Sequence, residues 1–356
     1  MNYTRSKLGP KDLRSSMALL LKARKIPMLW GSPGLGKTAI VNQLAKENKH
    51  EVIVFSTVMN EPQDLLGLPD IFRDPTNPEN NKAGYTPMDI FPLDSDPLPE
   101  GKKGWIIFID ELPSGGTEMQ AACLKMMQER IVGNRKLHPN VSLIAAGNYA
   151  TDRVHSNDII TAMGSRVVHL HCGVSSDEWL EYAQKNDHDW RVMAFIHEHP
   201  DALHVFDPNS VDPTFRCYRT WSDLSDILKH VPELKESHRP VVEGTIGVEG
   251  ASQFMTFARM ADRLPKRNDI INDPDSIPVD KDDVALSYML AYLLMDIAKK
   301  HHFKKFLGLF NKFSREFQFM IFRGWALNPG PAGSTEIYSC EELSEWVQEA
   351  LKIQQA

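Results

Sequence analysis

The chain has 356 residues, of which 42% are hydrophobic and 24% are charged, and its formal net charge is −7 at pH 7. This length suits two or three domains, and the negative balance argues against a general attraction to nucleic acid or to an anionic membrane. The four cysteines form no CxxC pair, which argues against a zinc site or a disulfide framework and favours a reducing cytosol. The amino terminus is not typical of a signal peptide, and the longest apolar stretch, 285–298, is too short to span a bilayer.

The first predicted elements surround a glycine-rich loop. Their apolar patterns predict an amphipathic helix at 11–25, a buried strand at 27–30 and a second helix at 38–45. Between the strand and the second helix lies a segment that fits Gly-x-x-x-x-Gly-Lys-[Ser/Thr], the phosphate-binding loop of P-loop nucleotidases. The segment consists of Gly31, Ser32, Pro33, Gly34, Leu35, Gly36, Lys37 and Thr38.

The order of strand, loop and helix is the one that phosphate binding requires. Glycines allow backbone N–H groups to turn toward phosphate oxygens without Cβ clashes. The helix that follows directs its positive end at the same anion. We therefore expect a nucleotide site in which Lys37 reaches the β and γ phosphates and the hydroxyl of Thr38 binds Mg²⁺.

A proline-rich excursion at 60–104 follows the strand that is predicted at 52–55. Eight prolines stand between positions 62 and 99 of this excursion. A long loop between two core strands is usually functional or mobile rather than part of the core. We expect 60–104 to be loop-like, with a flexible tip at 77–81.

The apolar run Trp105–Ile109 predicts a strand that is covered on both faces, and it ends in two carboxylates, Asp110 and Glu111. Open α/β sheets bind ligands at the carboxyl ends of their strands. We expect Asp110 to share the Mg²⁺ shell with Thr38, and Glu111 to orient and polarise the attacking water. A second acid beside the metal-binding acid indicates hydrolysis rather than transfer of phosphate to a small molecule.

Two further polar residues lie next to the last predicted strands. Asn148 follows the strand predicted at 141–146, from which its amide could reach the γ-phosphate or the lytic water. Arg166 precedes the strand predicted at 167–170, and an arginine there can project into the nucleotide of a neighbouring subunit and stabilise the transition state. Arg153 competes with Arg166 for this role.

Strands alternate with helices up to about residue 172, which predicts a doubly wound α/β domain. Helical patterns dominate beyond residue 175, and the phenylalanines between 303 and 317 keep a helical spacing that predicts a helical core. We expect an α/β nucleotide-binding domain at 1–172, an α-helical lid at 173–270 and a helical C-terminal extension at 271–356, with a linker at 272–278.

These residues, in this order, resemble AAA+ ATPases, and the closer resemblance is to the MoxR-like branch within the midasin/dynein-related grouping. Four further stretches carry the resemblance, namely 61–69, 85–92, 218–221 and 244–254. The region around Trp325 and 342–346 also resembles the tail of bacterial and phage MoxR-like proteins. The likeness extends over nearly the whole chain, but specific motifs lie only in the α/β domain.

The resemblance implies a P-loop AAA+ doubly wound parallel sheet, followed by a helical lid and a helical extension. It implies a Mg²⁺-dependent ATP hydrolase that forms a homo-oligomer, a hexameric ring, with ATP between subunits. The cysteine pattern leads us to expect a cytoplasmic protein. The resemblance also implies chaperone-like remodelling of a protein client, such as a protein with a von Willebrand factor A domain. Carried over by residue, it assigns Lys37 and Thr38 to Walker A, Asp110 and Glu111 to Walker B, Asn148 to sensor 1, Arg166 to the arginine finger and Arg219 to sensor 2.

One departure from the family concerns sensor 2. Tyr218 stands where the family usually has proline, which would fix the start of the helix and aim the arginine. Arg216, three residues upstream of Arg219, therefore competes for the same role.

Two other classes of function share this scaffold. A nucleic-acid motor or loader would need basic loops, for which Arg130, Arg135 and Lys136 around a hairpin predicted at 131–137 are the only candidates. A P-loop kinase for a small molecule would transfer phosphate to an acceptor and exclude water. We expect no membrane contact.

Overall fold

The computed structural model describes residues 6–73, 75–152 and 159–355. The chain forms two compact units. The first contains the residues up to Val174 together with Asp207–Asn209, and the second contains Ser175–Phe206 and the residues from Ser210 onward. No helix in these described ranges has the length and apolar character needed to cross a membrane. All four cysteines are buried and carry free thiols.

The first unit is an α/β unit. Its strands are β1 (Lys7–Leu8), β2 (Ile26–Trp30), β3 (His50–Ser56), β4 (Leu68–Phe72), β5 (Lys82–Thr86), β6 (Gly104–Asp110), β7 (Ile131–Val132), β8 (Arg135–Lys136), β9 (Val141–Gly147) and β10 (Val167–Cys172). Its helices are α1 (Pro10–Lys22), α2 (Lys37–Asn48), α3 (Pro62–Leu66), α4 (Thr117–Glu129) and α5 (Thr161–Gly164).

Six strands form one parallel sheet in the order β1-β10-β2-β9-β6-β3. Strand β9 lies between β2, which leads into the glycine-rich loop, and β6, which ends in the two carboxylates. The register pairs Trp30 of β2 with Gly147 of β9, and Ile109 of β6 with Ala145 of β9. Since all strands are parallel, the carboxyl ends of β2, β9 and β6 meet at one edge of the sheet.

The sheet is covered on both faces, as the apolar run in β6 predicted. Ile106, Ile107, Phe108 and Ile109 are fully buried. On one face, α4 packs its buried side chains against the sheet, including Met119, Cys123 and Met126. Continuous burial of both faces is typical of parallel sheets that are flanked by helices.

The excursion at 60–104 is more ordered than we expected from the sequence. It contains α3 and an antiparallel hairpin of β4 and β5, in which Leu68 pairs with Thr86 and Phe72 with Lys82. The tip at 77–81 includes a 3₁₀ turn, Pro78–Asn80, whose amide N–H at Glu79 is bound by the side chain of Asn77. Proline is tolerated in a strand with a free edge, which a two-stranded hairpin provides. The loop-like prediction was therefore wrong for the hairpin.

The second unit is helical. Its helices are α6 (Ser176–Lys185), α7 (Trp190–Glu198), α8 (Tyr218–Leu228), α9 (Arg239–Ile246), α10 (Val248–Arg259), α11 (Arg267–Asn272), α12 (Val284–Ala298), α13 (Leu307–Phe310), α14 (Arg315–Leu327), α15 (Gly333–Ser339) and α16 (Ser344–Gln355). One hydrophobic cluster extends through the unit from Trp179 to Trp346. Residues on both sides of 272–278, including Ile270 and Met289, belong to that cluster, as does Ile277 within it.

The phenylalanines between 303 and 317 contribute to this core, but not as one continuous helix. Phe303 and Phe306 lie on a 3₁₀ turn, and Phe310 ends the short α13. All three are almost completely buried, and Phe310 stacks on Trp325 of α14 at a ring-centroid distance of 5.4 Å. The helical spacing thus identified core residues correctly.

Candidate functional site

The glycine-rich loop connects the carboxyl end of β2 with the amino end of α2. Gly34 and Gly36 adopt left-handed backbone conformations, with φ of 79° and 73°. Side chains with a Cβ rarely adopt these angles, which explains glycine at both positions. Gly36 accepts the first helical bond of α2, from Ile40 N at 2.9 Å. The loop therefore offers the free N–H groups of a helix start to an anion.

Lys37 is the first residue of α2, and its ammonium lies inside the loop. Its Nζ donates to Gly31 O at 2.7 Å, to Ser32 O at 3.2 Å and to Asn148 Oδ1 at 2.8 Å. Burial lowers the pKa of Lys37, whereas the neighbouring carboxylates of Asp110, Asp152 and Glu111 act in the opposite direction. The ammonium is thus held by neutral oxygens that a phosphate group can replace.

Asn148 follows β9 directly and is 8% exposed. Because β9 lies between β2 and β6, this amide stands between the glycine-rich loop and the two carboxylates. The sequence predicted that it would lie near the nucleotide, and the structure brings it into contact with Lys37.

Thr38 and Asp110 are adjacent. Thr38 Oγ1 donates to Asp110 Oδ2 at 3.4 Å, and Asp110 Oδ1 accepts from the backbone N–H of Glu111 at 2.9 Å. Mg²⁺ is usually held by one or two protein carboxylates together with water and substrate phosphates. In the described ranges no group of three His, Cys, Asp or Glu side chains could hold a metal alone. A hydroxyl and a carboxylate beside a phosphate loop therefore fit a magnesium–nucleotide site, which needs no such group.

Glu111 has an unusual backbone conformation, with φ 55° and ψ 32°. For a residue other than glycine this conformation is costly and persists only where the surroundings hold it. Here the buried Thr57 holds it, because Thr57 Oγ1 donates to Glu111 O at 2.7 Å and Thr57 N donates to Asp110 O at 3.1 Å. The conformation turns the Glu111 side chain toward the end of β3, where Ser56 Oγ donates to its Oε2 at 3.2 Å.

The sequence reasoning missed Ser56, Thr57 and Asp152. Ser56 pairs in register with Asp110, because β3 is the neighbour of β6 in the sheet. Asp152 lies on a 3₁₀ turn after Asn148, and its buried Oδ2 has no hydrogen-bond partner among the described residues. The available signal was the change from apolar to polar residues at the ends of the strands predicted at 52–55 and 141–146.

Arg166 lies at the opposite edge of the same sheet. It precedes β10, whose first residue, Val167, pairs with Ile26 at the start of β2. The five residues of β2 separate this point from the glycine-rich loop by about 16 Å along the strand. Its side chain is exposed and donates from Nη1 to Ala162 O. Arg166 is therefore far from the phosphate site of its own subunit, and Arg153, its competitor, lies outside the described residues.

The two arginines considered for sensor 2 differ in their surroundings. Arg216 is 7% exposed and donates to Gln253 Oε1 at 2.7 Å and to Glu249 Oε2 at 3.2 Å. Arg219 lies in the first turn of α8, is exposed, and has no hydrogen-bond or ion-pair partner within the described part of the chain. Arg216 thus holds α10 in place, whereas the guanidinium of Arg219 is available for a ligand.

The start of α8 is fixed without the proline that the sequence resemblance led us to expect at position 218. Cys217 N donates to Thr220 Oγ1 at 2.9 Å, and Thr220 Oγ1 donates to Phe215 O at 3.0 Å. This capping interaction fixes the first turn that carries Arg219. Tyr218 adds a contact of its own, since its hydroxyl accepts from Ser175 N at 2.9 Å.

No protein-family model and no curated protein sequence matches the chain. Solved structures do match. A proposed ATPase of Cytophaga hutchinsonii is 17% identical, covers 72% of this chain and 75% of its own, and gives a TM-score of 0.35. RuvB of Thermotoga maritima, a Holliday junction branch migration motor, is 17% identical over 78% of this chain and 80% of its own, with a TM-score of 0.38. NtrX of Brucella abortus is 12% identical over 86% of this chain and 64% of its own, with a TM-score of 0.39.

The fold follows from the sheet itself. The parallel strand order, the phosphate loop between β2 and α2, the acidic pair after β6 and the helical second unit form an α/β P-loop fold of AAA+ type. This confirms the fold class that the sequence predicted.

Proposed function

We propose that the chain is a cytoplasmic, Mg²⁺-dependent ATPase of AAA+ type, close to the MoxR-like branch. One observation carries this proposal. A partly buried lysine inside a phosphate loop, a hydroxyl–carboxylate pair and a second, separately held carboxylate meet at one edge of one sheet. This is the set of groups that phosphoryl transfer to water requires.

The charge of each side chain determines its role in binding phosphate or metal. Lys37 exchanges its carbonyl and amide contacts for the β and γ phosphate oxygens of ATP, which accumulate charge in the transition state. Thr38 and Asp110 would hold Mg²⁺, which neutralises phosphate charge when it is bound. The remaining residues of the loop, from Gly31 to Gly36, bind phosphate through backbone N–H groups.

Glu111 orients the water. The water oxygen attacks the γ-phosphorus, the bond between that phosphorus and the β–γ bridging oxygen breaks, and the proton of the water passes to the Glu111 carboxylate. Asn148 is placed to hold the γ-phosphate or the water by its amide. In the structure Ser56 Oγ donates to one oxygen of Glu111, and we propose that the carboxylate leaves this hydrogen bond to act.

Assembly supplies the rest of the site in this proposal. Arg166 lies at the edge of the sheet remote from its own phosphate loop, which supports action in a neighbouring subunit. We propose a homo-oligomeric, hexameric ring in which Arg166 is the arginine finger and Arg219 is sensor 2. The proposed output is the remodelling of a protein client, with a von Willebrand factor A domain protein as the partner that the sequence resemblance implies.

The nucleic-acid alternative would need free basic side chains, but two of its three candidates contact other residues of the α/β unit. Arg130 is partly buried and donates to Val141 O. Arg135 pairs with Asp94 Oδ1 at 3.1 Å and with Ser95 Oγ at 3.0 Å. Of the three cations around the β7–β8 hairpin, Lys136 alone is left for a phosphate backbone, so we favour a protein client.

Replacement of Glu111 tests the proposal. Glu111→Gln keeps the size of the side chain but removes the base, so ATP binding should persist while turnover falls on the order of 10²- to 10⁴-fold. Binding is measured with a fluorescent ATP analogue and turnover as released phosphate. Unchanged turnover would remove Glu111 from the mechanism. Phosphate that appears on a small acceptor, without free phosphate, would instead establish the kinase alternative.

A further inference from the structure

The helix α4 connects the two edges of the sheet on which the proposed function depends. It begins at Thr117, six residues after Glu111, and ends at Glu129, so it is about 20 Å long. Met119, Cys123 and Met126 anchor it in the core. A helix anchored along its length keeps its two ends in a fixed relation.

Near its start, α4 carries a buried glutamine that joins two loops. Gln120 is 2% exposed, and its Nε2 donates to Gly115 O at 3.1 Å. Its Oε1 accepts from Ile160 N at 2.9 Å. Ile160 directly precedes α5, and the N–H of Arg166 binds Met163 O of α5 at 2.9 Å. The buried amide therefore ties α4 to the short helix that leads into Arg166.

Near its end, α4 carries a second glutamine, which meets Arg166 itself. The amide orientation that satisfies hydrogen bonding places the oxygen of Gln128 against the guanidinium, where it accepts from Nε and, at 2.7 Å, from Nη2. The third nitrogen, Nη1, donates to Ala162 O of α5. All three nitrogens of Arg166 thus have partners. Gln128 of α4 accepts from two of them and Ala162 of α5 accepts from the third, and Gln120 links these two helices.

The charge of the groups that hold Arg166 bears on its function. Both acceptors, an amide oxygen and a backbone carbonyl, are neutral. They fix the plane of the guanidinium through directional hydrogen bonds, and no carboxylate among the described residues forms an ion pair with it. A carboxylate in place of Gln128 would hold the group as well and would neutralise the charge that a transferring phosphoryl group needs.

We propose that Gln128 is a positioning residue that presents the guanidinium of Arg166 to the ATP of the neighbouring subunit. This inference rests on the proposed action of Arg166 between subunits. In it, Gln128 and Ala162 hold the plane of the guanidinium while its outer N–H groups remain available to the γ-phosphate. Loss of the support leaves the same charge in a wider range of orientations, which reduces turnover without affecting the binding of ATP.

The test compares steady-state ATP turnover of the assembled full-length chain with Gln128→Ala, Gln128→Glu and Arg166→Ala. We expect Gln128→Ala to lower kcat about three- to tenfold with unchanged KM and thermal midpoint, because one directional contact to a charged group is lost. Gln128→Glu should lower kcat at least as much, because it keeps the acceptor but neutralises the charge. Gln348→Ala, the same change at an exposed glutamine of α16, is the control and should leave kcat unchanged.

A double variant separates positioning from general damage. If Gln128 acts through Arg166, Gln128→Ala should have no further effect on kcat in the Arg166→Ala background. Equal fractional losses in both backgrounds, or an unchanged kcat in Gln128→Ala while Arg166→Ala is inactive, would overturn the positioning role and leave the proposed function in place. Full activity of Arg166→Ala would overturn the proposed role of the arginine instead.

Discussion

The two edges of the parallel sheet carry different kinds of polar group. At the carboxyl edge, Lys37, Thr38, Asp110 and Glu111 all bind partners within the same subunit. At the amino edge, Arg166 is exposed, and its partners are neutral. At the first edge a lysine and two carboxylates lie close together and are partly buried, whereas the second edge exposes an arginine for which the described residues provide only neutral partners. Our proposal, in which each subunit contributes halves of two different sites, accounts for this contrast.

The helical unit shows a similar contrast between two arginines that are three residues apart. Arg216 is buried and donates hydrogen bonds to Gln253 and Glu249, whereas Arg219, in the first turn of α8, is exposed. In both units, one basic side chain is held by contacts within the chain, and an exposed arginine has no ion-pair partner among the described residues. The predictions below test whether the outward charges are the ones that depend on assembly.

The largest expected effect concerns complementation between subunits. Arg166→Ala should lower turnover by about a thousandfold or more, which is the effect of losing an arginine finger, while a subunit still binds ATP. Lys37→Ala should be inactive for lack of ATP binding. Mixed rings would contain interfaces that join an intact phosphate loop from the first variant with an intact arginine from the second, so mixing should restore measurable phosphate release.

The measurement is turnover as a function of the mixing ratio, with a maximum expected at intermediate ratios. Each variant alone is the control. Mixtures that stay as inactive as the two separate variants, although mass measurement shows joint assembly, would contradict action between subunits.

The fold could be predicted well for elements whose side chains are buried against the rest of the unit. The strand at 105–109 was clear from five consecutive apolar residues, since both faces of β6 are covered. The β4–β5 hairpin was not, because all five residues of β4 are exposed and Pro69 interrupts any strand pattern. Periodicity reports burial, and an element without a buried face leaves no such signal.

The site could be predicted where its residues lie within one motif. The loop 31–38 and the pair Asp110 and Glu111 are defined by local spacing. Ser56 is 55 residues from the carboxylate that it holds, and the two meet because β3 lies beside β6. Such contacts depend on which strands are neighbours in the sheet, and the apolar pattern of a single sequence does not show that order. The roles of Asn148, Arg166 and Arg219 remain predictions.

The second prediction compares the two arginines of the helical unit. Arg219→Ala should lower kcat about tenfold, because a charge-assisted contact to phosphate is lost, and should leave the thermal midpoint unchanged. Arg216→Ala should lower the thermal midpoint, because Glu249 and Gln253 lose their partner. Differential scanning calorimetry and phosphate release measure the two effects. The reverse pattern, with a stable but inactive Arg216→Ala, would assign sensor 2 to Arg216.

The smallest expected effect concerns the hydrogen bond between Ser56 and Glu111 within the carboxyl edge. If this bond holds Glu111 away from the water in the free subunit, its loss should raise basal turnover. A single hydrogen bond contributes about 1 kcal/mol, which corresponds to about a fivefold change in the population of the released carboxylate. Ser56→Ala should therefore raise basal phosphate release by up to about this factor, while Ser56→Thr, which keeps the hydroxyl, should not. A fall in turnover with Ser56→Ala would show that the bond supports the active orientation of Glu111, and the carboxyl edge would then be prepared for hydrolysis before the neighbouring arginine arrives.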